Sequence, residues 1–233
     1  QKMQRRFERD PQFQSALLLL QERAPRATNF YSHTEDPGSE RVAIGQDPYM
    51  RIINTPNTQV PAVQLLSNGR YQLAISNAGG GYSRWKGISL SRWREDTTQD
   101  NWGLFCYIKD LSNGNLWSNT YQPTLRKAKA YEAVFSQGRV EYKRVDEGFE
   151  TKTEIVVSPE DDVEIRRVKI TNRTTTTKTI EVTSYTEVVL ALQAADEAHP
   201  AFSNLFVQTN IREDERAIIC TRRPRKKNEE VPW

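Results

Sequence analysis

"KAYEAVFSQGRVEYKRVDEGFETKTEIVVS", residues 129–158, carries alternating apolar and polar side chains in three runs, separated by Gln137-Gly138 and Glu147-Gly148. A period of two sends successive side chains to opposite faces of a strand, and a glycine pair between two such runs marks a tight turn. The stretch predicts three consecutive antiparallel strands. The same pattern extends both ways along the chain. "AVQLLSNGRYQLAISN" (62–77) sets Asn68-Gly69 between two apolar runs, and "LFCYIKDLSNGNLWSN" (104–119) repeats the device at Asn113-Gly114. Asn-Gly is the strongest short hairpin signal, because type I′ turns need positive φ at both central residues. In "DVEIRRVKITNRTTTTKTIEVTSYTEVVLA" (162–191) a threonine-rich turn joins two long strands. Strands at this spacing, with no helix-length amphipathic stretch between them, define an all-β, mostly antiparallel chain.

Finer features carry further expectations. In "VEIRRVKI" the pair Val163 and Ile165 has one parity and Val168 and Ile170 the other, which predicts a β-bulge near Arg166 and Arg167. In "TIEVTSYTEVVLA" bulk occupies both parities, with Ile180, Val182 and Val188 on one face and Tyr185 and Val189 on the other. That predicts a strand covered on both sides, and hence two stacked sheets.

The beginning of the chain has a different period. "DPQFQSALLLLQERAP" (10–25) offers Asp10 as N-cap, Pro11 at the first helical position and an apolar stripe of Phe13, Ala16, Leu17 and Leu20. Residues 1–24 are expected to form a short helical lead-in from a preceding region. Residues 25–62 are rich in proline and poor in periodicity, and read as an extended linker crossing the sandwich. The β-domain is expected over 63–233, truncated at its C-terminal end.

Composition removes several function classes. Lys and Arg total 33 against 30 Asp and Glu, a net charge of +3 with the signs interspersed along 233 residues. A nucleic-acid partner calls for a more one-sided field. Cys106 and Cys220 lie far apart, outside any metal-ligand spacing, and read as reduced, partly buried thiols. With only His33 and His199, neither a zinc site nor a Ser/His/Asp triad is expected, and His199, beside Pro200, reads as a loop residue. No cofactor is expected. The longest apolar run is short, residues 16–20, so no membrane contact is expected and the chain reads as soluble. A start at Gln1 and an end in "RKKNEEVPW" lead to the expectation of a piece of a longer protein.

The densest chemistry lies in "NAGGGYSRWKGISLSRWREDTTQDNWG", residues 77–103. Its glycines follow a strand, but no Gly-Lys-Ser/Thr and no helix come after them, so a phosphate loop is excluded. They read as positive-φ positions and a close backbone crossing. Tryptophan faces stack on pyranose rings while Arg and Asp pair with ring hydroxyls, so the segment 93–102 suits sugar contact. A tryptophan-rich loop packed on a sheet edge is the alternative. Glu95, Asp96 and Asp100 as a glycosidase acid and base would have to stand about 5–9.5 Å apart across a substrate, and a polar loop is the more ordinary reading. The basic run 221–227 reads as a solvated tail.

The stretch 60–103, with "LWSNTYQPT", "ETKTEIVVSPEDDVEIRRVKITN", "TSYTEVVLA" and "HPAFSNLFVQT", resembles the N-terminal β-domain in the phosphorylase-like region of bacterial cyclic β-1,2-glucan synthases, from about Thr55 to the end. More distantly, "GGYS", "WSNTYQPT" and "EIRRVKITN" resemble the matching domain of cellobiose and chitobiose phosphorylases of glycoside hydrolase family 94, once classed as a glycosyltransferase family. The resemblance implies an antiparallel β-supersandwich of the mutarotase-like, carbohydrate-binding type. It also implies a partner (α/α)6 helical barrel, in the parent chain, that holds the general acid and the phosphate site. The parent is then a bacterial inner-membrane glycosyltransferase with this region cytoplasmic, and the chain is inactive alone. Its partners would be a β-glucan or oligosaccharide, the barrel and, in a homodimer, a second copy. Tyr82, Arg84, Trp85, Trp93, Arg94, Asp96 and Trp102 are the positions expected to face sugar or barrel. A purely structural, barrel-supporting role and phosphorylase or hydrolase activity of the chain itself are the alternatives.

Overall fold

The computed structural model describes residues 43–44, 50–94 and 100–224, all within the compact unit Val42–Trp233. The expected helical lead-in, Glu95 and Asp96 lie outside the described residues.

The decisive stretch forms the meander it predicts: β9 (Ala130–Ser136), β10 (Arg139–Asp146) and β11 (Phe149–Val157), continued by β12 (Glu164–Asn172). Ahead of them in the chain, β1 (Ala43–Ile44) and β2 (Arg51–Ile53) complete a six-stranded sheet in the order β1-β2-β9-β10-β11-β12. A second sheet contains β3 (Val63–Ser67), β4 (Tyr71–Ser76), β5 (Gly81–Trp85), β6 (Ile88–Ser91) and β14 (Val188–Leu192), ordered β14-β6-β5-β4-β3. A third, ordered β13-β7-β8, joins β7 (Phe105–Asp110), β8 (Leu116–Ser118) and β13 (Ile180–Tyr185). All described pairings are antiparallel. Beyond β14 come two short helices, α1 (Gln193–Ala198) and α2 (Pro200–Asn204), and a hairpin of β15 (Val207–Arg212) and β16 (Ala217–Arg222). These short helices are elements that the strand-only reading omits; His199 lies at their junction, and its carbonyl accepts from Ser203 N at 2.8 Å.

The six-stranded sheet is one layer and the other two sheets share the layer against it. Leu66, Leu73 and Ile75 pack on Phe135, Val140, Tyr142 and Ile155 in one core, and Ile108 and Trp117 on Phe149 in the other. Burying these side chains supplies most of the cohesion, at roughly 25 cal/mol per Å² of apolar area. The outward face of the six-stranded sheet is a charged ladder. Glu141 joins Arg139 at 2.6 Å and Lys152 at 3.0 Å, and Glu154 joins Lys152 at 2.8 Å and also Arg167. Among the described residues no helix is long and apolar enough to cross a membrane.

Several local expectations are corrected. The β11–β12 register runs unbroken from Phe149↔Asn172 to Val157↔Glu164, so there is no bulge at Arg166 and Arg167. The parity mismatch has another cause. Glu164 and Arg166 point inward as a pair, and Ile165 is turned outward, 52 % exposed. The threonine-rich segment does not close a hairpin, because β12 ends one sheet while β13 pairs with β7 in another. Nor is "TIEVTSYTEVVLA" one strand covered on both sides. It breaks at Thr186–Glu187, shifts register between Val188 and Ala191, and leaves Val182 and Tyr185 about half exposed.

The glycine run does what a close crossing requires. A Cβ on Gly80 would run into the Asp100 carbonyl and one on Gly81 into the Ala74 carbonyl, while Gly79 has φ +96°. Gly81→Ala is expected to lower stability by about 3 kcal/mol or more, since the obstacle is backbone. Gly69→Ala, at φ +91° with open space around it, should cost about 1–2 kcal/mol. Equal urea midpoints for the two variants would refute the crossing.

Candidate functional site

Strand alternation divides the expected site residues. On β5, Tyr82 and Arg84 face outward with Leu65, Ala74 and Gln72 of the neighbouring strands, in the register Leu65↔Ala74↔Tyr82 and Gln72↔Arg84. Ser83 and Trp85 face the opposite sheet. The guanidinium of Arg84 lies 4.5 Å from the centre of the Tyr82 ring, and the Trp93 ring lies 5.4 Å from it at 56°. Arg84, Tyr82 and Trp93 thus form one stack, with Leu65 exposed beside it. Cation–π and tilted aromatic contacts each contribute about 0.5–1.5 kcal/mol and hold the rings in place.

The loop that carries Trp93 is anchored by Arg92. Its Nε and Nη2 donate to Asp196 at 3.0 and 2.9 Å, Nη1 donates to Glu187 at 2.7 Å, and Nη2 also reaches Asn204. Arg92 and Asp196 are both buried. Arg94 shares that carboxylate more loosely, at 3.9 Å. Trp102 stands behind the glycine crossing, where its carbonyl accepts from Gly81 N at 2.8 Å. Asp100 is engaged by Ser76, at 2.8 Å, and by Gln122. Both of its carboxylate oxygens therefore hold loops together rather than standing ready as a glycosidase acid or base.

Trp85 does not join the stack. Its indole N–H donates to Asp162 Oδ2 at 2.5 Å, with Arg70 on the other oxygen at 2.9 Å, and both hold that carboxyl below its ordinary range. Beside it Tyr71 and Ser83 donate to Glu164 Oε2 at 2.9 and 2.6 Å, and Arg166 donates to Oε1. Sequence reasoning passed over Arg92, Asp196, Asp162 and Glu164. The parity mismatch around Glu164 and Arg166 was a signal for the last, since a charged pair at inward positions leaves the same trace as a bulge.

A second buried network surrounds "WSNTYQPT". The Ser118 hydroxyl shares its one proton between the Thr120 and Gln122 carbonyls, at 2.7 and 2.8 Å. Arg144 grips Asp146 with two hydrogen bonds, at 2.6 and 2.7 Å, and donates to the Thr120 carbonyl. Cys106 and Cys220 are unbonded to each other and partly buried.

Two packed antiparallel β layers, with an aromatic and arginine stack on one outer face, define a β-sandwich domain. The chain belongs to the family described as "Glycosyl hydrolase 94, supersandwich domain", whose profile matches residues 46–233. It is 36% identical over 209 residues, 88% of this chain and 7% of the relative, to the cyclic beta-(1,2)-glucan synthase NdvB of Rhizobium meliloti (strain 1021). It is 30% identical over 121 residues, 52% of this chain and 15% of the relative, to the 3-O-beta-D-glucopyranosyl-beta-D-glucuronide phosphorylase of Paenibacillus borealis. The N,N'-diacetylchitobiose phosphorylase of Vibrio furnissii is 27% identical over 161 residues, 65% of this chain and 20% of that protein. The chain therefore spans a fifth or less of these relatives.

Ionisation of the inward Glu164 is coupled to folding. Burial alone would raise the Glu164 pKa, but the Arg166 charge and the hydrogen bonds from Ser83, Arg166 and Tyr71 outweigh it and hold the group below its ordinary 4.5. A depressed folded-state pKa contributes stability that is present above 4.5 and lost as pH falls through the folded value. The urea midpoint should therefore fall more steeply below pH 4.5 in the wild type than in Glu164→Gln. Parallel slopes in the two proteins would show that Glu164 is not held in its ionised form by the fold.

Proposed function

We propose that this chain is a non-catalytic β-supersandwich module that presents glucan to the catalytic part of a longer glucan synthase or phosphorylase. The observation that carries this reading is the outward stack of Arg84, Tyr82 and Trp93. The two outer faces differ in kind: the six-stranded sheet shows paired charges, whereas the five-stranded sheet shows Leu65, 70 % exposed, next to aromatic rings. An aromatic face beside a guanidinium matches the amphipathic surface of a sugar ring, with stacking for its C–H face and donors for its hydroxyls. Family membership and the likeness to a cyclic beta-(1,2)-glucan synthase support glucan as the chemistry. The partner domain is proposed to be the helical barrel of the parent chain, in a bacterial inner-membrane enzyme.

The exposed Leu65 and Val63 favour a second reading, in which the same face only supports the barrel or a second copy of the chain.

Titration with β-1,2-linked gluco-oligosaccharides, followed by tryptophan fluorescence, separates the two. Binding in the millimolar range is expected, and Trp93→Ala should weaken it about tenfold without loss of the folded state. Trp85→Phe should leave affinity unchanged and lower stability, since it removes an inward hydrogen bond. Absence of any wild-type response would favour the supporting role. Incubation with the same sugars and phosphate should release no glucose 1-phosphate, and its release would overturn the non-catalytic assignment.

A further inference from the structure

The layer opposite the six-stranded sheet is divided, and the division leaves an opening. The chain leaves the three-stranded sheet at Tyr185 and enters the five-stranded sheet at Val188. Thr186 lies at this seam, Leu104 just before β7 and Ser91 at the end of β6. With β12 beneath them these residues line a cleft of about 440 Å³.

The cleft floor is polar where a sandwich interior is normally apolar. It carries Glu164 and Arg166, with the Tyr71, Ser83 and Ser91 hydroxyls around them. Glu164 Oε2 already accepts two hydrogen bonds, whereas Oε1 accepts from Arg166 alone among the bonds described. A carboxylate oxygen can accept two, so one acceptor position stays open. Ser91 Oγ accepts from Ser83 N at 2.9 Å and keeps its own proton to donate. The charges cancel in pairs, Glu164 with Arg166 and Asp162 with Arg70, so the cleft favours neither anion nor cation. Leu90, Leu104 and Val163 supply an apolar wall. Pockets of a few hundred Å³ with an apolar lining and a few convergent polar groups are the usual size and kind for small ligands.

We infer that this cleft is a binding site for a single neutral, polyhydroxylated ring, of the size of one hexose. A hydroxyl of such a ring donates to Glu164 Oε1 and another accepts from Ser91 Oγ, while its C–H face lies against Leu90 and Leu104. The site is separate from the outward stack, because Ser83 and Tyr82 point to opposite faces of β5.

The test is a titration of the whole chain with D-glucose, followed by backbone amide shifts in NMR. Saturable shifts should cluster at Ser83, Ser91, Leu104 and Glu164. Glu164→Gln should weaken binding about tenfold, the usual effect of losing a charged acceptor. Thr186→Trp, which fills the mouth from a loop position, should abolish these shifts, while Trp93→Ala should leave them unchanged. If Glu164→Gln fails to fold, Thr186→Trp still decides. Shifts that survive Thr186→Trp, that gather only at Tyr82 and Trp93, or that never appear would overturn the site, as would saturable occupation of the cleft by an unrelated peptide but not by glucose.

Discussion

The three larger sheets of the domain are all tied to the short stretch from Ser76 to Gly81, and the absence of side chains on its glycines is what allows this. Tyr142 and Tyr131, from the six-stranded sheet, donate to the Ser76 and Asn77 carbonyls at 2.6 and 2.7 Å. Gln122 N, just after the three-stranded sheet, donates to the Ala78 carbonyl at 2.9 Å, and Gly81 N to Trp102 at 2.8 Å. Backbone polar groups buried at such a junction must be paired, and here they pair with tyrosine hydroxyls and with one another. The direction in which β5 leaves the junction sets which way Tyr82 points, and therefore where the outward stack stands.

The buried charges do a related job. Arg144 with Asp146 and Arg92 with Asp196 are each enclosed by further hydrogen bonds. A buried ion pair adds little net stability compared with apolar residues of the same shape, but leaving one partner alone costs about 3–5 kcal/mol. Such pairs penalise a misplaced loop or a slipped register more than they strengthen the correct one.

Much of this was legible in the sequence. The turns at Asn68-Gly69, Asn113-Gly114, Gln137-Gly138 and Glu147-Gly148 lie between the strands they predict, because hairpins are local and their glycines take the positive φ that the turn demands. The close crossing at residues 79–81 was legible for the same reason. Sheet membership was not. Whether β13 returns to β12 or leaves for β7 depends on which partner covers Ile180 and Ile108, and no alternation within residues 163–185 encodes that choice. The stack was half legible. Residue types marked Tyr82, Arg84 and Trp93, but only the pleat separates them from Trp85, and the clamp of Arg92 joins residues far apart in the chain.

The same topology orders the steps of folding. Strands β9 to β12 follow one another through short connections, so forming that meander closes only small loops, and the entropic penalty of each is low. Pairing of β2 with β9 brings Arg51 to Phe135 and has to close a loop that holds strands β3 to β8. The charged meander can therefore nucleate by itself, while the edge at β2 is completed only after the chain between them has found its place. Until then β9 presents an open hydrogen-bonding edge, and an edge of that kind is where one chain recruits another into aggregates.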